Sequence, residues 1–370
     1  MSLKMIVFTV IIVLALVVLG LYLAARQSMG EAPDASALKR FQQSPNFSQA
    51  RNRFININQE LVDKKQAEGI PFSKLKSFFL ESHKRSPQKP LPEVTPDFSD
   101  FLSGDSPFKV IWFGHSSLLL NMEGKLVLID PVFGAAAPLA FLKSRFQHPV
   151  VTAKDLPDID YLLISHDHYD HLEMDTIKFY ADKPVTFIVP LGVSSYLKGW
   201  GVDSDKIIEL DWWQQAELAG IVFTATPSQH FSGRRFGQGH QTLWASWVIQ
   251  SMHHNVFFSG DTGFHKEFKS IGEKLGPFDV AFIENGQYNA SWEAIHLMPE
   301  MGVEAFNLLN AKKLFPIHWG MFDLSLHRWN DPILTMSQLA HENGISLITP
   351  KIGETVDLNE STQTFEPWWE

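Results

Sequence analysis

The chain has 370 residues, 45% of them apolar and 12% aromatic, which is enough to bury a large core and excludes a disordered, fibrous or disulfide-stapled scaffold. Lys and Arg number 31 against 41 Asp and Glu, a formal net charge of −10, which argues against a broad nucleic-acid surface because such a surface needs excess cation. Cysteine is absent, so thiolate chemistry is excluded and His and carboxylates are left as metal donors.

Residues 5–25 are apolar apart from Thr9, Gly20 and Tyr22 and are flanked by Lys4 and Arg26, the length and setting of a bilayer-spanning helix. A cleaved signal peptide is the rival reading. It prefers small residues just before the cleavage point, whereas cleavage after Ala24 or Ala25 would place Tyr22 or Leu23 three residues before it. An uncleaved anchor over residues 1–28 is therefore expected. Lys4 on one flank and Arg26, Lys39 and Arg40 on the other nearly balance, with a slight lean to an extracytoplasmic catalytic domain.

Residues 29–107 read as a basic arm. Positions 36–92 carry eleven Lys or Arg and four acids, against eighteen and thirty-five for positions 93–370. With Pro45, Pro71, Pro87, Pro90 and Pro92 as punctuation, this stretch either lies on anionic headgroups or clamps onto the acidic remainder. From position 108 the pattern turns to strands at 109–113, 117–121 and 125–129, with Glu123-Gly124 as a hairpin turn. Further strands are predicted at 161–165, 186–189, 206–210, 221–226, 243–250, 255–259, 280–283 and 313–316. Helices are predicted at 175–180, 194–198, 299–309 and 332–343. Strands alternating with helices after a β-rich start predict an α/β domain over residues 108–370, two sheets covered by helices.

The chemistry concentrates in Ser165-His166-Asp167-His168-Tyr169-Asp170-His171. Two His two apart at a strand end project to one side, and an Asp-His pair at the following turn can reach back to the same point. That spacing builds two adjacent metal positions. The run resembles the HxHxDH signature of the metallo-β-lactamase superfamily, over roughly residues 108–355, and the resemblance implies an αββα sandwich. It also implies that His166, His168 and His230 hold one zinc, that Asp170, His171 and His318 hold the other, and that Asp261 bridges the two. Iron or manganese suits such His-carboxylate donors as well.

Trp112-Phe113-Gly114-His115-Ser116, Ile129-Asp130-Pro131, Thr242-Leu243-Trp244-Ala245-Ser246-Trp247, Ile295-His296-Leu297-Met298-Pro299-Glu300 and His318-Trp319-Gly320-Met321-Phe322 are similar to the branch of N-acyl-phosphatidylethanolamine-hydrolysing phospholipase D. L-ascorbate 6-phosphate lactonases share some of these motifs. Glu284-Asn285-Gly286-Gln287-Tyr288-Asn289 departs from the phospholipase pattern, which bears on the lipid substrate and not on the metals. Two ions sharing a water would supply hydroxide near neutral pH. By resemblance, Asp170 orients that hydroxide, Asp261 fixes the spacing and His296 contacts substrate oxygen or protonates the leaving group.

His115 and Asp130 are expected to fix ligand geometry from behind. Arg234 and Arg235 on the Gly-rich 231–241 segment are expected to meet a phosphate, and Tyr288, Trp319 and Phe322 to line the pocket. The leading expectation is a membrane-anchored dinuclear zinc phosphodiesterase acting on such lipids. A lactonase or small-ester hydrolase with the same metals and a non-catalytic zinc-binding membrane protein are the alternatives.

Overall fold

The computed structural model describes residues 2–69, 84–104, 106–235, 239–360 and 363–370. Pro71 of the basic arm and Gly237 of the Gly-rich segment lie outside the described residues. The chain opens with α1 (Leu3–Met29), α2 (Ala35–Phe41), the small hairpin β1 (Phe47–Ser48) and β2 (Arg53–Phe54), α3 (Gln59–Glu68) and α4 (Phe98–Phe101). The first sheet then takes β3 (Phe108–Trp112), β4 (Leu118–Met122), β5 (Lys125–Ile129), β6 (Tyr161–Leu163), β7 (Thr186–Pro190) and β8 (Ile207–Leu210), with α5 (Met174–Tyr180) and α6 (Ser194–Gly199) in its crossovers. The second takes β9 (Gln215–Leu218), β10 (Ile221–Thr226), β11 (Ser246–Gln250), β12 (Asn255–Phe258), β13 (Phe278–Glu284), β14 (Ala311–Ile317) and β15 (Ser346–Leu347), with α7 (Glu267–Leu275), α8 (Pro299–Leu308) and α9 (Asp331–Asn343). Finally β16 (Thr355–Asp357) returns to the first sheet beside β3.

The strand orders are β16-β3-β4-β5-β6-β7-β8 and β15-β14-β13-β12-β11-β10-β9. Each sheet is antiparallel at one end and parallel at the other. The layers follow from side-chain alternation along the strands. On β3, Phe108, Val110 and Trp112 face Phe223, Trp247, Phe258 and Phe282 of the other sheet in the central core. Ile111 on the same strand turns outward to Ile177, Tyr180 and Leu197 of α5 and α6. On the far side Val248, Phe257 and Ala281 pack under Phe268, Phe306 and Met336 of α7, α8 and α9. The result is the αββα sandwich.

The predicted meander is present, and Glu123 and Gly124, at φ 57° and 83°, form the mirror-image turn that suits a two-residue hairpin. The strand expected at 243–250 begins only at Ser246. Ahead of it the Leu243 and Ala245 N–H groups donate to Leu191 and Ser165 carbonyls of the first sheet's loops, so these residues stitch the sheets instead of extending a ladder. The pattern at 215–218 is half-exposed and at 267–275 mostly polar, and both β9 and α7 escape the sequence reading.

Of the two readings of the arm, the described residues favour the clamp. Phe41, Phe47 and Phe54 pack against one another in tilted and edge-to-face pairs with centroids 5.2–6.3 Å apart and join the central core. Arg40 pairs with Glu209 at 3.0 Å and Lys65 with Glu293 at 3.0 Å. In Phe54→Ala the lost ring should cost about 3–5 kcal/mol. Scanning calorimetry is expected to show one lowered transition for the whole domain, and a separate early transition would mean that the arm melts alone.

Candidate metal centre

The site is assembled where strands of both sheets end. His166, His168, Asp170 and His171 follow β6, His230 follows β10, Asp261 follows β12, Glu284 ends β13 and His318 follows β14. Behind them His115 follows β3 and Asp130 follows β5. The seam is closed by backbone: His115 N–H donates to Trp319 O at 3.1 Å and His318 N–H to His115 O at 2.8 Å. His115, Asp130 and His318 hold φ values of 52°, 41° and 69°, a left-handed conformation that non-glycine residues keep only where their surroundings impose it.

Two donor sets share one carboxylate. His166 Nε2 and His230 Nε2 converge on His168 Nδ1 at 2.9 and 3.2 Å, so His168 presents the opposite ring nitrogen from its neighbours. Asp261 Oδ2 stands 3.8 Å from His166 Nε2, 3.5 Å from His230 Nε2 and 3.1 Å from His318 Nε2, while its Oδ1 is 3.1 Å from His171 Nε2. Asp170 Oδ2 lies 3.6 Å from His171 Nε2 and 3.5 Å from His318 Nε2. Seven side chains from distant positions thus meet with Asp261 between the sets.

Three of the imidazoles, His166, His171 and His230, are aimed by what binds their other nitrogen. Asp130 accepts from His171 Nδ1 at 2.7 Å and from Ser165 N at 2.7 Å, and the Ser165 hydroxyl is 2.9 Å from His166 Nδ1. His230 Nδ1 donates to Ile295 O at 3.0 Å. Burial, with His318 beside it, pushes His115 down to about 3. It is therefore neutral and donates Nε2–H to Asp170 Oδ2 at 2.9 Å.

The residues suit a cation on two physical grounds. The buried atoms His171 Nε2, His318 Nε2 and Asp261 Oδ1 lack hydrogen-bond partners, a state that costs free energy unless something else satisfies them. Burial also opposes charge on His171, yet Asp261 and Asp170 outweigh it and lift the imidazole to about 10, so the pocket demands positive charge.

Glu284 is the residue that sequence reasoning missed. Buried at the end of β13, it accepts from Thr262 N and Leu297 N with Oε1 at 2.9 and 3.0 Å, and from His296 Nδ1 with Oε2 at 2.7 Å. His318 Nδ1 is 3.4 Å away. The signal was an acid closing the apolar run 280–283, where neighbouring strands deliver ligands.

A cavity of about 390 Å³ opens over this floor, walled by Phe231, Gln287, Trp292, Ile295, His296 and Leu324. This corrects the expected contacts. Arg234 is buried, with Nη1 donating to Asp167 O and Leu172 O at 2.8 Å and Nη2 to Ser28 O at 2.8 Å, and it stacks on Tyr169. Arg235 donates to Gly30 O. The Arg234 guanidinium is consumed by backbone carbonyls, and Arg235 is turned towards the base of α1 and away from the metal pocket. Tyr288 stacks on His327, Trp319 lies between Trp112 and Trp368, and Phe322 sits edge-on behind His115. None of these lines the cavity.

The approach of two backbones limits the site. A Cβ on Gly286 would fall 1.7 Å from His318 O. Gly286→Ala should therefore lose about 1–3 kcal/mol of stability and, because the His318 turn must move, retain less metal by elemental analysis. Unchanged metal content would show that the turn yields without disturbing the donors.

Residues 125–319 match the Beta-lactamase superfamily domain. An uncharacterized protein of Mycobacterium tuberculosis (strain ATCC 25618 / H37Rv) is 35% identical over 347 residues, 91% of this chain and 90% of its own. N-acyl-phosphatidylethanolamine-hydrolyzing phospholipase D 1 of Caenorhabditis elegans is 34% identical over 249 residues, 64% of this chain and 69% of its own. In fold alone, the chain resembles Igni18, a metallo hydrolase of Ignicoccus hospitalis, with TM-score 0.51, 22% identity and coverage of 67% and 97%. Clustered donors at the strand ends of a two-sheet sandwich and these matches agree: the chain belongs to the metallo-β-lactamase superfamily and is a metal-dependent hydrolase.

Proposed function

We propose that this hydrolase cleaves the phosphodiester of a membrane lipid of the N-acyl-phosphatidylethanolamine type, with two divalent cations, zinc by expectation. The observation that carries this reading is the cavity, in which Phe231, Trp292, Ile295 and Leu324 surround a floor of His and Asp. A polar reaction centre under apolar walls suits a substrate that is polar at the scissile bond and greasy beside it. The likeness to the nematode phospholipase supports the same class.

We assign His166, His168 and His230 to one cation, Asp170, His171 and His318 to the other, and Asp261 to both. When bound, such a pair supplies Lewis acidity and a water of lowered pKa. The chain's own residues do the rest. His115 holds Asp170 through one oxygen and leaves the other free to orient a water. Glu284 fixes His296 by Nδ1, so that Nε2, on the opposite side of the ring, serves as proton donor to the leaving oxygen. The apolar walls exclude bulk water.

We read α1 as a retained anchor. It is long and apolar enough to cross a membrane, and its spanning part is exposed in the fold. Ala25 and Met29 at its base are buried against the domain, and the carbonyls of Gln27, Ser28 and Gly30 are bound by Trp200, Arg234 and Arg235. Cleavage would strip those three residues of partners.

One feature favours the alternative of a lactone or small-ester substrate. Among the described residues lining the cavity there is no Lys or Arg, so a phosphate would be met by the cations and His296 alone.

The two readings separate by mass spectrometry of products after full-length, zinc-loaded protein in detergent is incubated with total lipid extract, beside a folded Asp261→Asn control. Phosphatidate and a released N-acylethanolamine with wild type alone are expected. Intact lipids with turnover of a lactone panel would replace the lipid reading. His296→Ala should retain metal and lose about 10²–10³-fold in kcat, and an unchanged kcat would remove it from the proton transfer.

A further inference from the structure

The described surface of the globular part carries one continuous apolar run. Ala135-Ala136-Ala137-Pro138-Leu139-Ala140-Phe141-Leu142 has eight apolar residues in succession and none is buried. Phe141 is 70% and Leu142 53% exposed. Such a run is unfavourable in water unless something covers it. It is also a formed loop: Ala136 N–H donates to Lys143 O at 2.9 Å across its base, and Leu142 N–H to Leu139 O at 2.9 Å near its tip.

Its position says what covers it. On one flank the Ser28 hydroxyl, at the base of α1, donates to Pro138 O at 3.1 Å. At the same base Leu23, Arg26, Trp200 and Arg235 line a cavity of about 420 Å³, the mixture of cation and indole that marks the headgroup level of a bilayer. On the other flank the loop grips the rim of the metal pocket. Ala136 packs on a cluster of Val132, Met321 and Phe322 together with Leu324, and Leu324 also walls the metal pocket. Lys143 Nζ donates to Asp323 O at 2.5 Å and Phe146 N to Met321 O at 2.8 Å. The loop therefore runs from the membrane helix to the mouth of the site.

We propose that loop 135–142 is a second membrane contact. Phe141 and Leu142 insert at the boundary between headgroups and acyl chains beside α1, so that the rim at Leu324 opens next to the bilayer surface. This rests on the reading of α1 as an anchor, and it adds a surface whose partner is lipid. Two contacts at separate points fix the tilt of the domain, which a single helix leaves open.

The absence of cysteine makes the test direct. Single variants Leu14→Cys, Phe141→Cys and Met252→Cys of the full chain, all at exposed positions and each checked for unchanged melting, carry one environment-sensitive fluorophore. They are reconstituted in vesicles of phosphatidylcholine and phosphatidylglycerol with or without brominated acyl chains. A probe at 141 should be quenched to about half or more of the extent seen at 14, with that at 252 under about a tenth, as expected of an interfacial against a spanning and an aqueous position. Quenching at 14 but not at 141 leaves the anchor standing and overturns the loop proposal. No quenching at either removes the anchor reading and the loop with it. Energy transfer between copies labelled at 141, without quenching, would assign the loop to a protein contact and overturn the proposal as well.

Discussion

Everything in this fold answers to one constraint: four carboxylates and seven imidazoles are gathered at the seam of two sheets, largely out of water. Asp130, Asp170, Asp261 and Glu284 cannot lie so close unless positive charge sits among them. The imidazoles supply it only in part, since burial opposes charge on His115, His166, His168 and His230. A cation would resolve the conflict without protons, and the Nε2 atoms of His171 and His318 and an oxygen of Asp261 are among the buried atoms left without a hydrogen-bond partner. The left-handed backbones of His115, Asp130 and His318 are tolerated for the same reason, since the surrounding hydrogen bonds over-determine them.

Geometry of this kind has to be held stiffly, and tryptophan does much of the holding. Trp112 Nε1 donates to His115 O at 2.8 Å, Trp247 Nε1 to Ile164 O at 3.0 Å and Trp244 Nε1 to Ser228 O at 3.0 Å. Each ring is buried in the core while its one polar atom fixes a carbonyl at or near a ligand turn. The arm adds to this from outside. Asn56 Nδ2 donates to His230 O at 2.8 Å and Asn58 N to Gln229 Oε1 at 3.1 Å. Residues far ahead of the sandwich in sequence thereby restrain the turn that carries His230.

The sandwich and the donor cluster were legible because they depend on local signals. The apolar run 161–164 ending in four donors within six residues has no packing explanation, and the short apolar runs along 108–129 with Glu123-Gly124 as a turn between two of them read as a meander. What escaped depends on direction in space. Glu284 ends an apolar strand and reads as the start of a loop, though its carboxylate turns inward to His296. Arg234 and Arg235 sit among glycines as a phosphate-binding loop would have them, yet their guanidiniums meet carbonyls at the base of α1. The cavity walls come from Phe231, Trp292, Ile295 and Leu324, which share no spacing. The 135–142 run has neither helical nor strand period, so a search by periodicity passes over it.

The place of Arg234 shows how the N-terminal apolar helix and the donor cluster are joined. Its guanidinium bridges Ser28 O of α1 and the carbonyls of Asp167 and Leu172, which bracket His168, Asp170 and His171. Asp167 in turn accepts from Gly233 N at 2.8 Å and from the Tyr196 hydroxyl at 2.9 Å. One buried cation therefore ties the end of the apolar helix to the turn that delivers the donors. Because it is paired wholly with oxygen dipoles and stacked on Tyr169, it resists the loss of any one of those partners. The orientation of the helix and that of the site are thus set by the same contacts.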